Sequence, residues 1–386
     1  MTTETKLLNV YPLYDIEPVS GKDVWIEDKK GDQYLDFYGG HAVISIGHSH
    51  PDYIHALQEQ LEKLVFYSNS IINPLQPQVA DSILQVSGLP DEYRLFMINS
   101  GAEAIENAIK LASFINGRKK FITLKKGFHG RTAGAIALTD GMKHKTSFQP
   151  DFETLRLDIN DADAMKKELE TGEVCAVLLE PIQGIGGIYI CTDEYLQQVR
   201  QWCTQTGTVL IADEIQCGFG RSGKFFAFQY SGISPDIITM AKGMGNGFPV
   251  AGVLIKDGLL KEEMGMAGTT FGGNHLACAS TLAVLQVIHN ENLMENADQQ
   301  GKYLQDRLKG IHGIKDIRGR GLMIGIEMDF PVAELRKELV FQHKIFTGSS
   351  SDPFVLRLLP PLTVKKSHCD ILIKSFEECL HHQNKN

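Results

Sequence analysis

The sequence predicts an α/β fold in which the main sheet is mostly parallel. Short apolar runs suited to buried parallel strands alternate with segments of helical period. The runs are followed at once by polar or glycine-rich sequence, as strands of such sheets often are. The chain has 386 residues, 43% apolar and 22% charged, which is enough for two domains with a large buried core.

Four apolar runs are predicted to be strands of this sheet. They are residues 94–98, 120–124, 174–179 and 209–212. Ligands of open α/β sheets bind outside the carboxyl ends of the strands. The polar segments that follow the four runs are therefore expected to converge on one cleft.

A helix is predicted to begin at about Gly101, directly after the first of these runs. Ser100 and Glu103 form the S-x-x-E pattern of a capping box. Apolar residues follow at helical spacing: Ile105, Ile109, Ala112 and Ile115. The free amide hydrogens at such a helix start favour a phosphate, and Gly101 lets the backbone approach it closely. An ordinary capped surface helix is the alternative interpretation.

An aspartate and a lysine lie 29 positions apart (242 − 213) in the strand-rich central part of the chain. Asp213 ends the apolar run at 209–212, and Lys242 follows the apolar residues 237–241. A desolvated amine can attack an aldehyde, and a carboxylate can hold a ring nitrogen protonated. Chemistry on pyridoxal phosphate requires this pair, so Lys242 and Asp213 are the candidate catalytic residues. Taken singly, the lysine reads as a solvated surface residue and the aspartate as a helix cap or a structural ion-pair partner.

Composition narrows the class of protein. With 38 basic and 47 acidic residues the net charge is −9, which speaks against general affinity for nucleic acid or an anionic membrane. No apolar run approaches the roughly 18 residues of a membrane helix, and residues 1–6 lack the apolar core of a signal peptide. The seven cysteines form no Cys-x-x-Cys pair and predict no metal site. A reduced, cytoplasmic protein is expected.

A series of motifs runs through nearly the whole chain in a fixed order. They lie at residues 28–37, 47–51, 99–104, 127–132, 180–187, 213–223, 242–243, 269–274 and 357–362. With these motifs the chain resembles the class III aminotransferases of the fold type I pyridoxal phosphate enzymes, and most of all the acetylornithine and succinylornithine aminotransferases. The resemblance implies a large coenzyme domain, residues 51–278, with helices flanking the central sheet. Residues 1–50 and 279–386 would form a smaller α+β domain.

The resemblance also implies which residues surround the pyridoxal 5′-phosphate ring. Lys242 would bind the coenzyme aldehyde and later move the substrate proton. Asp213 would pair with the ring nitrogen and Gln216 would lie near the ring hydroxyl. Phe128 would stack on the ring face, since a flat aromatic side chain can hold a flat cofactor.

The phosphate of the coenzyme would be held by two subunits. Ser100, Gly101 and Ala102 would bind it at the start of the predicted helix. By the resemblance, Thr270 would reach the same phosphate from the partner subunit. A homodimer is then the smallest active assembly.

Two arginines are implied as substrate-binding residues. Glutamate, the implied amino donor or product, has two carboxylates, and a guanidinium can bind each with two hydrogen bonds. Arg131 matches the position that holds the distal carboxylate of glutamate and the α-carboxylate of an ω-amino substrate. Arg357 matches the position for the α-carboxylate of glutamate.

The implied reaction moves the δ-amino group between N-acetyl- or N-succinylornithine and 2-oxoglutarate, as in arginine biosynthesis. Within the same class, ornithine, 4-aminobutyrate and lysine-derived amines are alternative donors. A catalytically silent protein that keeps the fold and the coenzyme is the alternative from another class.

Three positions depart from the family pattern. Ile185 replaces an acid that in relatives can pair with the carboxyl-terminal arginine, so it cannot neutralise Arg357. The hypothesis is that Arg357 stays available in both half-reactions or finds another partner, and that selectivity for ω-amines is set differently. His41, and His275 where proline is usual, could contact the pocket or be only packing residues, and packing is the expectation for both.

Overall fold

The computed structural model describes residues 6–142, 146–148 and 150–383. Residues 1–5 and 384–386, which the predicted small domain includes, lie outside the described residues, as do 143–145 and 149 of the predicted large domain. The strands in chain order are β1 (Pro18–Lys22), β2 (Trp25–Asp28), β3 (Gln33–Asp36), β4 (Tyr93–Ile98), β5 (Lys120–Leu124), β6 (Glu153–Leu157), β7 (Val174–Leu179), β8 (Ile182–Gln183), β9 (Tyr189–Ile190), β10 (Val209–Asp213), β11 (Ile237–Met240), β12 (Ala251–Lys256), β13 (Ile314–Arg320), β14 (Met323–Met328), β15 (Ile345–Phe346), β16 (Gly348–Ser349) and β17 (Val355–Leu358).

The helices surround these strands along the chain. They are α1 (Gly39–Ala42), α2 (Pro51–Lys63), α3 (Leu75–Ser87), α4 (Gly101–Asn116), α5 (Ala133–Leu138), α6 (Ala162–Leu169), α7 (Asp193–Thr206), α8 (His275–Asn290), α9 (Leu293–Leu308), α10 (Ala333–Phe341) and α11 (Lys366–Gln383). Two 3₁₀ turns cover Ala227–Tyr230 and Lys242–Met244. Within the described residues, every helix is too short or too polar to span a lipid bilayer.

A seven-stranded sheet with the order β4-β12-β11-β10-β7-β5-β6 forms the centre of the fold. Only β12 runs antiparallel to its neighbours, while β11, β10, β7, β5 and β6 pair in parallel. All residues of β7 and β10 are buried, because helices cover both faces of such a sheet. The predicted mostly parallel sheet is confirmed, and its four predicted runs are β4, β5, β7 and β10.

Helix α4 begins where the sequence predicts. Ser100 is its N-cap, and the Ser100 hydroxyl accepts a hydrogen bond from the Glu103 amide at 3.3 Å. The Glu103 carboxylate bonds the amide of Asn99, at 3.1 Å, rather than that of the cap itself. Gly117, with φ +70°, ends the helix in the left-handed conformation that glycine adopts readily. The apolar face of α4 is buried against the central sheet, so the start of the helix is fixed beside the end of β4.

Two smaller sheets bring distant parts of the chain together. The sheet β1-β2-β3-β15 pairs Leu35 in parallel with Ile345. The sheet β13-β14-β17-β16 places Arg357 opposite Gly325 on one side and Gly348 on the other. Pairing of β3 with β15 accords with a small domain built from residues 1–50 and 279–386. The domain boundaries themselves stay a prediction.

Candidate active site

A cavity of about 330 Å³ lies at the carboxyl ends of five central strands: β4, β5, β7, β10 and β11. The lining residues that follow these strands are Asn99, Ser100, Gly101, Ala102, Phe128, His129, Gly130, Glu180, Ile185, Asp213, Ile215, Gln216, Ala241 and Lys242. The four segments expected to converge on one cleft therefore do so. The fifth segment, after β11, adds Lys242 to the same cavity.

Asp213 is held in a fixed orientation at the end of β10. Its carboxylate is buried, with 3% of the residue exposed, and Oδ2 lies 2.8 Å from Nδ1 of His129. The other oxygen, Oδ1, accepts from the Thr239 hydroxyl at 3.1 Å and from the Ile215 amide at 3.2 Å. Three groups hold the carboxylate, which cannot shift without breaking a buried hydrogen bond, so it is preorganised toward the cavity.

His129 is a site residue for which the sequence predicted no role, although it lies within the motif at residues 127–132. It is buried beside Asp213, and its Nε2 has no hydrogen-bond partner among the described residues. With the ring donating through Nδ1–H to the aspartate, Nε2 is left as an acceptor. Its position directly after Phe128, in the segment that follows β5, is the signal that could have identified it, since residues at the carboxyl end of a strand tend to face the cleft.

Lys242 lies in the 3₁₀ turn after β11 with a positive φ of +47°. A non-glycine residue in this region is strained by about 1–3 kcal/mol, and such strain is often found at functional sites. Burial lowers the pKa of the Lys242 amine, against the opposing effect of the negative charges of Asp213 and Glu180. The amine is thus closer to its neutral, nucleophilic form than an exposed lysine.

Glu180 is a second site residue that sequence reasoning left without a role. Its Oε1 accepts from the amide of Phe128 at 2.9 Å, and its Oε2 accepts from the amide of Gly184 at 2.8 Å. Burial raises the pKa of Glu180, and the charge of Asp213 adds to this, while His129 opposes it. The side chain therefore fixes the loops after β5 and β7 on two sides of the cavity. Its place directly after β7 was the available signal.

Arg357 is buried on β17, with 1% of the residue exposed. Its Nε donates to the Ser349 carbonyl at 2.5 Å, and its Nη1 donates to Oε1 of Gln216 at 3.0 Å. No ion pair between this guanidinium and a carboxylate is present in the described part of the chain. Burial lowers the pKa of Arg357 to about 10, so it stays a cation at neutral pH. The Gln216 side chain is thus a hydrogen-bond partner of Arg357, and the hypothesis about the two half-reactions stays a prediction.

Like Arg357, which donates a hydrogen bond to the lining residue Gln216, two other residues named from the sequence do not line this cavity. Arg131 is exposed in the segment after β5. Thr270 is also exposed, and its neighbour Thr269 accepts a hydrogen bond from the side chain of Asn99 at 3.3 Å. The roles of both residues stay predictions.

The expectation that His41 is a packing residue is wrong. Its side chain is exposed on α1, which is a left-handed turn with φ between +54° and +68° from Gly39 to Ala42. Nε2 of His41 lies 2.8 Å from the Tyr38 hydroxyl. Partial burial, and the charges of Arg357, Lys242 and Arg131, lower the pKa of His41 to about 4. The ring is therefore neutral at physiological pH and lies in the electrostatic field of the site. His275 begins α8 and does not line the cavity.

The groups around the cavity fit a phosphate-bearing aromatic aldehyde. Lys242 supplies an amine and Asp213 a fixed buried carboxylate, while Phe128 supplies an aromatic face. The first turn of α4 has amides without an intrahelical acceptor, so it can bind a phosphate. These are the four kinds of contact that pyridoxal phosphate requires.

Comparison with known proteins identifies the family. The model of the family "Aminotransferase class-III" matches residues 10–380. The chain is 40% identical to the acetylornithine aminotransferase of Bacillus subtilis, over 98% of this chain and 99% of that protein. The acetylornithine aminotransferase of Methanosarcina mazei is 38% identical, over 93% of this chain and 90% of its own length.

Solved structures show the same architecture. The ornithine aminotransferase of Toxoplasma gondii ME49 superposes with a TM-score of 0.91 at 27% identity, covering 99% of this chain and 94% of that chain. The acetylornithine aminotransferase of Elizabethkingia anophelis superposes with a TM-score of 0.85 at 28% identity, covering 97% and 96%. The predicted fold class and the predicted transaminase activity are confirmed. The chain belongs to the class III aminotransferase family.

Proposed function

We propose that this transaminase moves the δ-amino group between an N-acylated ornithine and 2-oxoglutarate, using pyridoxal 5′-phosphate. The observation that carries the proposal is that Lys242, an amine with a lowered pKa, shares one cavity with the buried, fixed carboxylate of Asp213. The ornithine substrate follows the relatives in Bacillus subtilis and Methanosarcina mazei, which are acetylornithine aminotransferases. A place in arginine biosynthesis accords with those names.

In the proposed mechanism, residues of this chain hold the coenzyme and control one proton. Asp213 would pair with the ring nitrogen, Phe128 would cover the ring, and Gln216 would lie near the ring hydroxyl. Bound pyridoxal phosphate supplies a ring that accepts electrons and so makes the hydrogen on the amine-bearing carbon acidic. Nζ of Lys242 would take that proton from the amine-bearing carbon and later release it, because a neutral amine is a competent base. Ser100, Gly101 and Ala102 would hold the phosphate.

The substrate carboxylates are assigned to the two arginines. Arg357 would bind the α-carboxylate of glutamate or 2-oxoglutarate, and it is held for this by Gln216 and Ser349. Arg131 would bind the distal carboxylate of glutamate and the α-carboxylate of the ornithine derivative. Each pairing is a charge-assisted hydrogen bond, roughly twice as strong as a neutral one.

A homodimer is part of the proposal. Beside Thr270 lies an exposed apolar surface whose rings include Phe66 and Phe271, with centroids 5.4 Å apart. Other large apolar side chains of the 61–72 segment are exposed: Leu61, Leu64, Val65, Tyr67, Ile71 and Ile72. Exposed apolar surface of this extent is typical of a protein interface. It supports a dimer in which Thr270 serves the partner's phosphate site. Residues 51–278 would then carry the coenzyme, and a cytoplasmic location stays the expectation.

The visible absorbance spectrum of the purified protein tests the function. We would titrate the coenzyme band with N-acetylornithine, N-succinylornithine, ornithine, 4-aminobutyrate and glutamate. Loss of the band with glutamate and with one N-acylornithine supports the proposal and identifies the acyl group. Loss of the band only with another ω-amine would mean that the protein binds the coenzyme but uses a different substrate. Ornithine is included because the chain is similar to an ornithine aminotransferase. A Lys242→Ala variant is the control: glutamate can still condense with the coenzyme aldehyde, but without the lysine base the coenzyme should not be converted to its amine form, so the visible band should persist.

A further inference from the structure

Arg357 is a buried cation whose hydrogen bonds go to uncharged acceptors. Its partners are the Ser349 carbonyl and the Gln216 side-chain amide. Removing an arginine from water without a counter-ion is unfavourable, and the arrangement is tolerated where an anionic ligand supplies the missing charge. Gln216 lines the cavity and Arg357 does not, so a substrate carboxylate would reach the guanidinium by displacing the Gln216 amide.

Glycine at position 184 makes room for the neutral partner. A Cβ there would lie 1.9 Å from Oε1 of Gln216 and 2.5 Å from its Cδ. The backbone amide of Gly184 also donates to the Glu180 carboxylate at 2.8 Å, which keeps this loop against the side-chain amide of Gln216. The Gln216 side chain is thus confined between Gly184 and Arg357, so it aims the guanidinium without neutralising it.

Ile185 is the next residue of the same loop, and its side chain lines the cavity. Its carbonyl accepts the amide of Ser351 at 2.8 Å, in the segment whose Ser349 carbonyl binds Arg357. The loop that contains Ile185 is therefore hydrogen-bonded to the segment whose carbonyl accepts from the Arg357 guanidinium. With Val43, Ile215 and Phe128 it makes part of the cavity wall apolar.

These contacts bear on which amino donors can bind. If a carboxylate were paired with Arg357, a substrate α-carboxylate could bind only after breaking that ion pair. Displacing the Gln216 amide breaks only a hydrogen bond to a neutral acceptor, which costs less. A donor with one carboxylate and an apolar side chain needs no second arginine. Its side chain can instead bury apolar area against the wall that includes Ile185.

We propose that the holoenzyme also transaminates α-amino acids with short uncharged side chains, Arg357 binding the α-carboxylate and the Ile185 wall taking the side chain. This rests on the proposed function, since the coenzyme and Lys242 are shared. The donor's C–N bond is replaced by a C=O bond whose oxygen comes from water, and its α-hydrogen leaves as a proton to Nζ of Lys242. The amino group then forms the new C–N bond at C2 of 2-oxoglutarate, whose oxo oxygen leaves as water while C2 gains a proton from Nζ of Lys242. The donor carbon loses two electrons and the acceptor carbon gains two, so no other oxidant takes part.

The test follows product formation by purified holoenzyme with 2-oxoglutarate as acceptor. L-2-aminobutyrate and L-norvaline are the donors, with N-acetylornithine and N-succinylornithine run in parallel, and the 2-oxo acid and glutamate are quantified by mass spectrometry. We expect equal amounts of 2-oxo acid and glutamate from both α-amino acids. Conversion of an N-acylornithine without any from the α-amino acids overturns this inference and leaves the proposed function standing. Failure of the N-acylornithines alone overturns the proposed substrate instead.

Two variants at position 185 separate charge from size. Ile185→Glu places a carboxylate in the loop tied to Arg357, and Ile185→Gln has the same length without the charge. For Ile185→Glu, we expect kcat/KM for L-2-aminobutyrate to fall relative to that for the N-acylornithine by at least about tenfold, because an ion pair must be broken. Ile185→Gln should change the ratio by less than about threefold. Equal changes in both variants would overturn the charge argument, and the visible spectrum of each variant reports whether it still binds coenzyme.

Discussion

A single methyl group added at Gly184 should separate Gln216 from Arg357. The added Cβ would lie 1.9 Å from Oε1 of Gln216, so the amide must move by more than about 1 Å in a close-packed interior. The 3.0 Å hydrogen bond from Nη1 of Arg357 is then lost. Gly184 is not among the glycines with positive φ, so alanine brings no backbone strain of that kind.

The magnitude follows from the bond that is lost. Hydrogen bonds to charged groups contribute about 1.5–3 kcal/mol, and a buried guanidinium has no water to replace its acceptor. The clash involves the end of a side chain, so we add little for overpacking. Gly184→Ala should lower the free energy of unfolding by about 1.5–3 kcal/mol.

A double-mutant cycle checks this reasoning. The variants are Gly184→Ala, Gln216→Ala and the two combined, each unfolded in urea at one fixed concentration of protein and coenzyme. If the alanine acts through Gln216, it should cost less than about 0.5 kcal/mol once that side chain is gone. An equal cost in both backgrounds would refute the reasoning, since the methyl group would then be clashing with something else.

Three further predictions concern the site and the residues around it. Asp213→Asn keeps the size of the side chain beside His129 but removes its charge, so kcat should fall by about 10²–10³-fold with little change in KM; an unchanged kcat would remove Asp213 from the mechanism. Burial raises the pKa of Glu214 to about 7, although two backbone amides oppose this. The unfolded state ionises near the ordinary value of 4.5, so stability should fall by on the order of 3 kcal/mol as pH rises from 4.5 to 7, and Glu214→Gln should flatten that slope in urea unfolding. Finally, mixing Thr270→Val subunits with Lys242→Ala subunits should restore one intact site per hybrid dimer, whereas recovery no greater than in either parent would mean that Thr270 acts within its own chain.

The electrostatics of His41 illustrate how a local pattern misleads. Next to Gly39 and Gly40, a histidine in an apolar stretch reads as a packing residue. The left-handed turn instead exposes the ring beside Tyr38, where the charges of Arg357 and Lys242 reach it. Those cations come from a strand and a 3₁₀ turn far away in the sequence, so no local signal contains them.

The sequence by itself determined four strands of the central sheet, the capped start of α4 and the residues that can carry coenzyme chemistry. These depend on neighbouring residues: apolar runs bury in a sheet, and Ser100 caps the helix that follows it. It also placed Lys242 and Asp213 directly after strands, whose carboxyl ends meet at one edge of the sheet.

Only the tertiary structure decided which groups hold them. The pairing of His129 with Asp213 and of Gln216 with Arg357 joins segments 84 and 141 residues apart, and such contacts follow from how strands order themselves in space. Hydrogen bonding and desolvation act over a few ångströms of space, whatever the separation along the chain.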